Sequence, residues 1–308
     1  RPARPLRTVR DEVAVVAAAV TTRADLLPGA LVEFEQLNPA LSLRHLPEEG
    51  QLAFLAVKKA LREAGELPPP GDDVALVSGV GLESLAACAR FARSVDEQAG
   101  AAASPALFAY TAANAVAGAL AASFGFRGPS VTAASGAFAS AQALIDAALL
   151  LAEGQARRVV VLAFAPESEE VERCLRAAGF ALAAPTAAAA VPVAAALVLA
   201  RIGDAGSDAG ARTIALDLRR RKRSSVTVPT DPPPLDSRLG AQTLVEVAHA
   251  VRKLRADGGA AIPLRALDPC TGGALWLRVH VERLEPVGSG VTPALAPGAP
   301  FASGRERG

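Results

Sequence analysis

The sequence predicts an α/β fold with helices layered on a sheet, and three observations carry that expectation. Short β-like runs alternate with segments of helical apolar spacing from the N-terminus to about residue 218. Alanine is abundant and aromatic residues make up only 4% of the chain, so the core is expected to be closely packed from small side chains. A length of 308 residues suffices for one large α/β domain or for two fused halves around a continuous core.

In chain order, Val13 to Val16 reads as a first strand and Asp73 to Ser78 as a second. Between them, Glu48 to Ala64 places Leu52, Leu55, Ala56, Ala60, Leu61 and Ala64 at helical spacing. Gly79-Val80-Gly81-Leu82-Glu83-Ser84 then supplies a glycine-rich turn of the kind that closes strand-to-helix connections. Further on, Ala141 to Glu153 is expected as a helix, Arg158 to Ala163 as a strand, and Val193 to Ile202 with Arg212 to Leu218 as a strand pair. A basic, proline-rich linker is expected over 219–236. A helix through Arg255, the short Ile262-Pro263-Leu264 run and a strand from Ala274 to Val281 follow it within 237–285. Residues 286–308 read as a flexible tail rich in Gly, Pro, Ala and Ser.

Global properties exclude several classes. A formal net charge of +1 gives no footprint for nucleic acid or an anionic membrane. Phe180 to Ala200 carries no charge, but Pro185 and Pro192 interrupt it and it ends in a β-like run, so a buried loop and strand is expected rather than a membrane span. Cys88, Cys174 and Cys270 have no ligand-like spacing among themselves or with His45, His249 and His280. No metal and no cofactor is therefore expected, and the thiols read as free in a reducing, cytoplasmic compartment. The opening Arg1-Pro2-Ala3-Arg4-Pro5 lacks the apolar stretch of a secretory signal, and with no methionine in the chain the natural start is expected upstream of Arg1. Trp276, alone of its kind in a strand of alternating residues, reads as a packing anchor.

The run Gly128-Pro129-Ser130-Val131-Thr132-Ala133-Ala134-Ser135-Gly136-Ala137-Phe138-Ala139-Ser140 is the most informative segment. It resembles the nucleophile elbow of β-ketoacyl synthases and other thiolase-fold condensing enzymes, in which a strand runs into a small-residue turn that carries a cysteine at the start of a buried helix. The upstream stretch Ser104-Pro105-Ala106-Leu107-Phe108-Ala109-Tyr110-Thr111-Ala112-Ala113-Asn114 through Gly118 resembles the family's dimer-axis segment. Leu239-Gly240-Ala241 resembles a later helix start. The likeness implies a thiolase-like layered αβα fold, with a complete N-terminal half over 1–218 and an abbreviated C-terminal half over 237–285.

Laid on that pattern, the nucleophilic cysteine falls on Ala137, one catalytic histidine on Ser237 and the lysine on Pro232, while the turn that carries the other histidine is missing. An alanine methyl can neither be activated by a base nor hold a thioester. Ser135 and Ser140 have no histidine within the motif to act as base. The combination resembles chain-length-factor-like subunits, which implies a non-catalytic protein paired with an active ketosynthase and, through it, with acyl carrier protein in polyketide or polyene synthesis. In that reading Ala106, Leu107, Phe108, Thr111, Asn114, Val131 and Phe138 face the partner or its acyl tunnel, with the helix from Thr111 to Ala122 beside the elbow strand. The run Arg219, Arg220, Arg221, Lys222 and Arg223 offers a docking charge for an acidic carrier protein. Two other classes stay open: a cysteine-independent decarboxylase and a stand-alone acyl-binding homodimer.

Overall fold

The computed structural model describes residues 11–27, 29, 46–66, 71–97, 104–167, 169–177, 179, 192–204, 212–221, 239–259, 261–267 and 274–283. Among these residues, eight strands form one mixed sheet: β1 Asp11–Thr22, β2 Val74–Gly79, β3 Ser130–Ala133, β4 Arg158–Ala165, β5 Val193–Arg201, β6 Arg212–Arg221, β7 Ile262–Leu267 and β8 Ala274–Arg283. Their order is β3-β2-β4-β5-β1-β6-β8-β7. Strand β2 pairs in parallel with both β3 and β4. Every other pairing is antiparallel.

Burial on both faces explains the apolar runs at the centre of the sheet. All eight residues of β4 and all but the last of β5 are buried, which is why neither shows the polar alternation of a half-solvated strand. Strand β1, also buried through most of its length, sends alternate residues to the two cores, with one interruption. Its register to β5 slips between Val15 and Ala17. Because side chains change face at every residue, that bulge sends Val13, Val15 and Ala18 to one core and Ala17 and Ala19 to the other.

Two helix layers cover the two faces. Helices α1 (Glu48–Glu63) and α4 (Ala115–Phe124) close one core, in which Phe54 stacks on Phe124 with ring centroids 5.0 Å apart. Helices α5 (Ala139–Ala152) and α7 (Gln242–Asp257) close the other. Helix α2 (Glu83–Glu97), the short α3 (Pro105–Ala109) and α6 (Glu169–Ala177) pack outside these layers, with Ala86, Val171 and Leu175 as a small satellite core.

Several boundaries differ from the sequence reading. Strand β1 is three times the expected length. The helix expected from Thr111 starts at Ala115, because Thr111 to Asn114 form a turn in which the Thr111 hydroxyl donates to the Phe108 carbonyl at 2.8 Å. Arg219, Arg220 and Arg221, expected in the linker, continue β6 opposite Trp276, Leu275 and Ala274. Helices α2 and α6 were not anticipated. His280 lies on β8 between two strands, with its Nδ1 buried and without a hydrogen-bond partner. No helix among the described residues is long and apolar enough to cross a membrane, and Val193 to Ala200 is strand as expected. His45, Cys270, Lys222, Arg223, Pro232, Ser237 and the tail lie outside the described residues.

Candidate functional site

The elbow is built where β3 ends. Gly136 takes φ +55°, a conformation that L side chains rarely adopt, so the chain turns sharply after Ser135 through a single turn of 3-10 helix and enters α5. Ala137 therefore sits in the 3-10 turn just ahead of a buried helix, half-buried itself, with Phe138 and Ala139 buried behind it. The unpaired N–H groups of such a helix start, together with its dipole, would lower the pKa of a thiol at this position. A methyl group there has no charge to stabilise.

Backbone packing around the elbow demands glycine. A Cβ on Gly79, the last residue of β2, would lie 2.7 Å from the Ala139 carbonyl carbon and oxygen and from the Ser140 Cα. A Cβ on Gly81 would meet the Gly240 nitrogen at 2.7 Å and the Gly136 oxygen at 3.1 Å. Gly240 is equally constrained, with Gly81 Cα at 2.6 Å and the Gly136 oxygen at 3.0 Å from its hypothetical Cβ. Three loops from distant parts of the sequence thus meet backbone to backbone at the elbow, with the Leu239-Gly240-Ala241 segment lying against it. The Ser78 and Thr132 hydroxyls, 3.0 Å apart, tie β2 to β3 just ahead of this junction.

The other expected site residues divide into groups. Val131 is half-buried on β3, which forms one end of the sheet. Ala106 and Leu107 are half-buried on α3, and Phe108 is 62% exposed, its ring 5.4 Å from that of Phe91. Helix α3 itself is local chemistry: Pro105 occupies its first turn and the Ser104 hydroxyl accepts from the Leu107 N–H. Asn114 is exposed and precedes α4. Phe138, expected to face a partner, is instead 7% exposed and packs in the chain's own core.

Neither described histidine is at the elbow. His249 is exposed on α7, and β8, with His280, lies six strands away from β3, about 29 Å at the usual strand spacing. Ser135 is exposed, and the Ser140 hydroxyl is buried with no hydrogen-bond partner, hence with no base beside it. Cys88 and Cys174 are free and exposed, and no group of potential metal ligands occurs among the described residues.

Sequence reasoning missed one ionisable group. Glu83, at the start of α2, is 4% exposed, and both its carboxyl oxygens are buried without a hydrogen bond of normal geometry. Desolvation chiefly raises its pKa to about 8, the nearby Glu49 charge adds to the effect, and the backbone N–H groups of Glu83 and Gly81 oppose it. A glutamate in the first turn of a helix ordinarily reads as a solvated dipole partner, and nothing local in the sequence marks this one as buried.

Residues 47–198 match the family of the β-ketoacyl synthase N-terminal domain. No curated protein sequence matches the chain. Among solved structures, a β-ketoacyl synthase from Burkholderia phymatum STM815 aligns with TM-score 0.63 at 11% identity, covering 89% of this chain and 100% of that one. The ishigamide ketosynthase/chain length factor aligns at 0.63 and 15%, covering 88% and 99%. A ketosynthase (ApeO) in complex with its chain length factor (ApeC) from Xenorhabdus doucetiae aligns at 0.53 and 18%, covering 87% and 99%. At such identities the structural likeness establishes the thiolase-like layered α/β fold and nothing finer.

Proposed function

We propose, for a chain that is β-ketoacyl synthase-like in sequence over residues 47–198 and in fold, that it is a non-catalytic subunit of the chain-length-factor type. It pairs with an active ketosynthase and shapes that enzyme's acyl tunnel during chain elongation on acyl carrier protein. The observation that supports this most is the elbow, whose close-packed glycine junction is retained around an alanine at the nucleophile position. A scaffold that had simply drifted would have no reason to keep three backbone segments within contact distance of a residue that cannot react.

The mechanism follows from position. Covalent condensation requires a thiolate and an acid-base group near it; Ala137 supplies neither, so loading and bond formation fall to the partner's own site. This chain contributes surface. Strand β3, at the end of the sheet, presents backbone donors and acceptors that a second subunit's strand can pair with. Helix α3 projects Phe108 outward, and its bulk is suited to closing the floor of a neighbour's tunnel. The basic residues 219–223 are assigned to carrier-protein docking, as a secondary part of the reading.

Co-expression with a cysteine-bearing ketosynthase tests the proposal. The two chains should purify as a stable heterodimer that elongates acyl carrier thioesters, while this chain alone forms no product. A homodimer that ignores the ketosynthase would favour the stand-alone acyl-binding alternative. Release of CO2 from a malonyl thioester by the isolated chain would favour the decarboxylase.

A further inference from the structure

A cleft lies between α1, α2 and the turn that joins α3 to α4. Its outer part, about 290 Å³, is lined by Leu46, Pro47, Glu49, Ala87, Leu107 and Tyr110, among others. Pro47, Glu49, Ala87 and Tyr110 also line a much smaller inner chamber of about 10 Å³, which Glu83 bounds. The two hollows share that wall, and the smaller one is bounded by a buried carboxyl that makes no hydrogen bond of normal geometry. Buried polar groups are almost always hydrogen-bonded, and those that are not call for an explanation.

The charges around that carboxyl indicate what would satisfy it. Glu49 is buried and its Oε1 accepts from Arg90 at 2.8 Å, so the one guanidinium that lines the cleft among the described residues is already engaged. At the rim, Glu48 and Glu167 share Arg23. With Glu83 ionised, the cleft would be short of positive charge. The inner chamber admits a group about the size of one water molecule, which an ammonium head fits and a planar guanidinium does not.

We infer that this cleft binds a primary alkylammonium ion, with the –NH3+ group seated against Glu83 and the alkyl stem against Leu46, Pro47, Ala87 and Leu107. The head donates hydrogen bonds to the Glu83 carboxylate, and the Glu49–Arg90 pair stays intact. In the empty cleft Glu83 holds a proton at neutral pH; on binding, that proton passes to the buffer while the ligand keeps its own. Among the described residues, the other titratable groups lining the inner chamber are Glu49 from α1, paired with Arg90 of α2, and Tyr110 from the turn, whose phenol burial pushes upward and leaves neutral in this range. The inference does not depend on the subunit role proposed above.

Titration calorimetry of the full chain with n-butylammonium chloride at fixed ionic strength tests it, using buffers of different ionisation enthalpy. Saturable binding should be about 50-fold tighter at pH 8 than at pH 6, and about 0.9 proton should be released per ligand at pH 7, given a Glu83 pKa of about 8. Uncharged n-butanol should not bind, and Glu83→Gln should weaken binding more than tenfold and abolish the proton release. Lack of saturation, pH-independent binding, equal binding of n-butanol or an unaffected Glu83→Gln variant would each overturn the inference. If Glu83→Gln does not fold, the wild-type proton count and the butanol comparison still decide.

Discussion

Replacing Glu83 by Gln should make the protein more stable, and by an amount that depends on pH. In the unfolded chain Glu83 ionises near 4.5, whereas in the folded protein burial holds its pKa at about 8. A raised carboxyl pKa means that the folded state keeps a proton the unfolded state releases, so stability is fully present below pH 4.5 and falls as pH rises toward 8. The penalty is about 1 kcal/mol at pH 5, about 3 kcal/mol at pH 7 and about 5 kcal/mol at pH 9 by that linkage. Glutamine has nearly the same shape and cannot ionise, so the variant escapes this penalty. Against a typical total stability of about 5–15 kcal/mol the difference at pH 7 is large. Urea denaturation of both proteins between pH 5 and pH 9 measures it directly. The curves should converge at the acid end and separate by slightly more than 1 kcal/mol per pH unit toward pH 8. Parallel curves, or a variant less stable than wild type at pH 7, would refute the assignment of Glu83 as a buried, unsatisfied carboxyl.

Other substitutions probe the elbow and the proposed interface. Gly81→Ala forces a methyl into the Gly240 backbone and should cost about 1–3 kcal/mol in denaturation, while the same change at Gly118, where a Cβ meets nothing within 4 Å, should be nearly neutral or stabilising. Val131→Glu places a charge on the edge strand β3 and should abolish co-elution with the ketosynthase partner in size-exclusion chromatography; an intact complex would move the interface elsewhere. Phe108→Ala should lengthen the partner's products without slowing chain initiation. The ring is mostly exposed in the single chain and packs chiefly on Phe91, so folding should lose only about 1 kcal/mol. An unshifted product profile at full heterodimer yield would remove the tunnel role.

Where the sequence was legible, the signal was local. Strand β4 shows itself as an unbroken apolar run and α1 as a 3.6-residue stripe, and both lie within a residue or two of where the pattern placed them. The elbow could be read because its backbone geometry demands small residues in a fixed order. What escaped was set by contacts between distant segments. Phe138, which the family resemblance set toward a partner, is covered by the core between α5 and α7. The bulge in β1 leaves no mark beyond an alanine-rich run, since Val15, Val16 and Ala17 would suit either face. Helix α2 was hidden by Ser84, Cys88, Arg90 and Arg93, which dilute its apolar stripe, and its first residue, Glu83, is buried by packing around it rather than by its own character.

The central claim, that this chain takes part in condensation without reacting, is tested most directly by intact-protein mass spectrometry of the reconstituted pair after incubation with acyl carrier thioester. The account predicts that the acyl mass appears on the ketosynthase alone, with this chain unchanged at every time point while product accumulates. A stoichiometric acyl adduct on this chain, at Ser135, Ser140 or a cysteine, that forms and decays with turnover would contradict it.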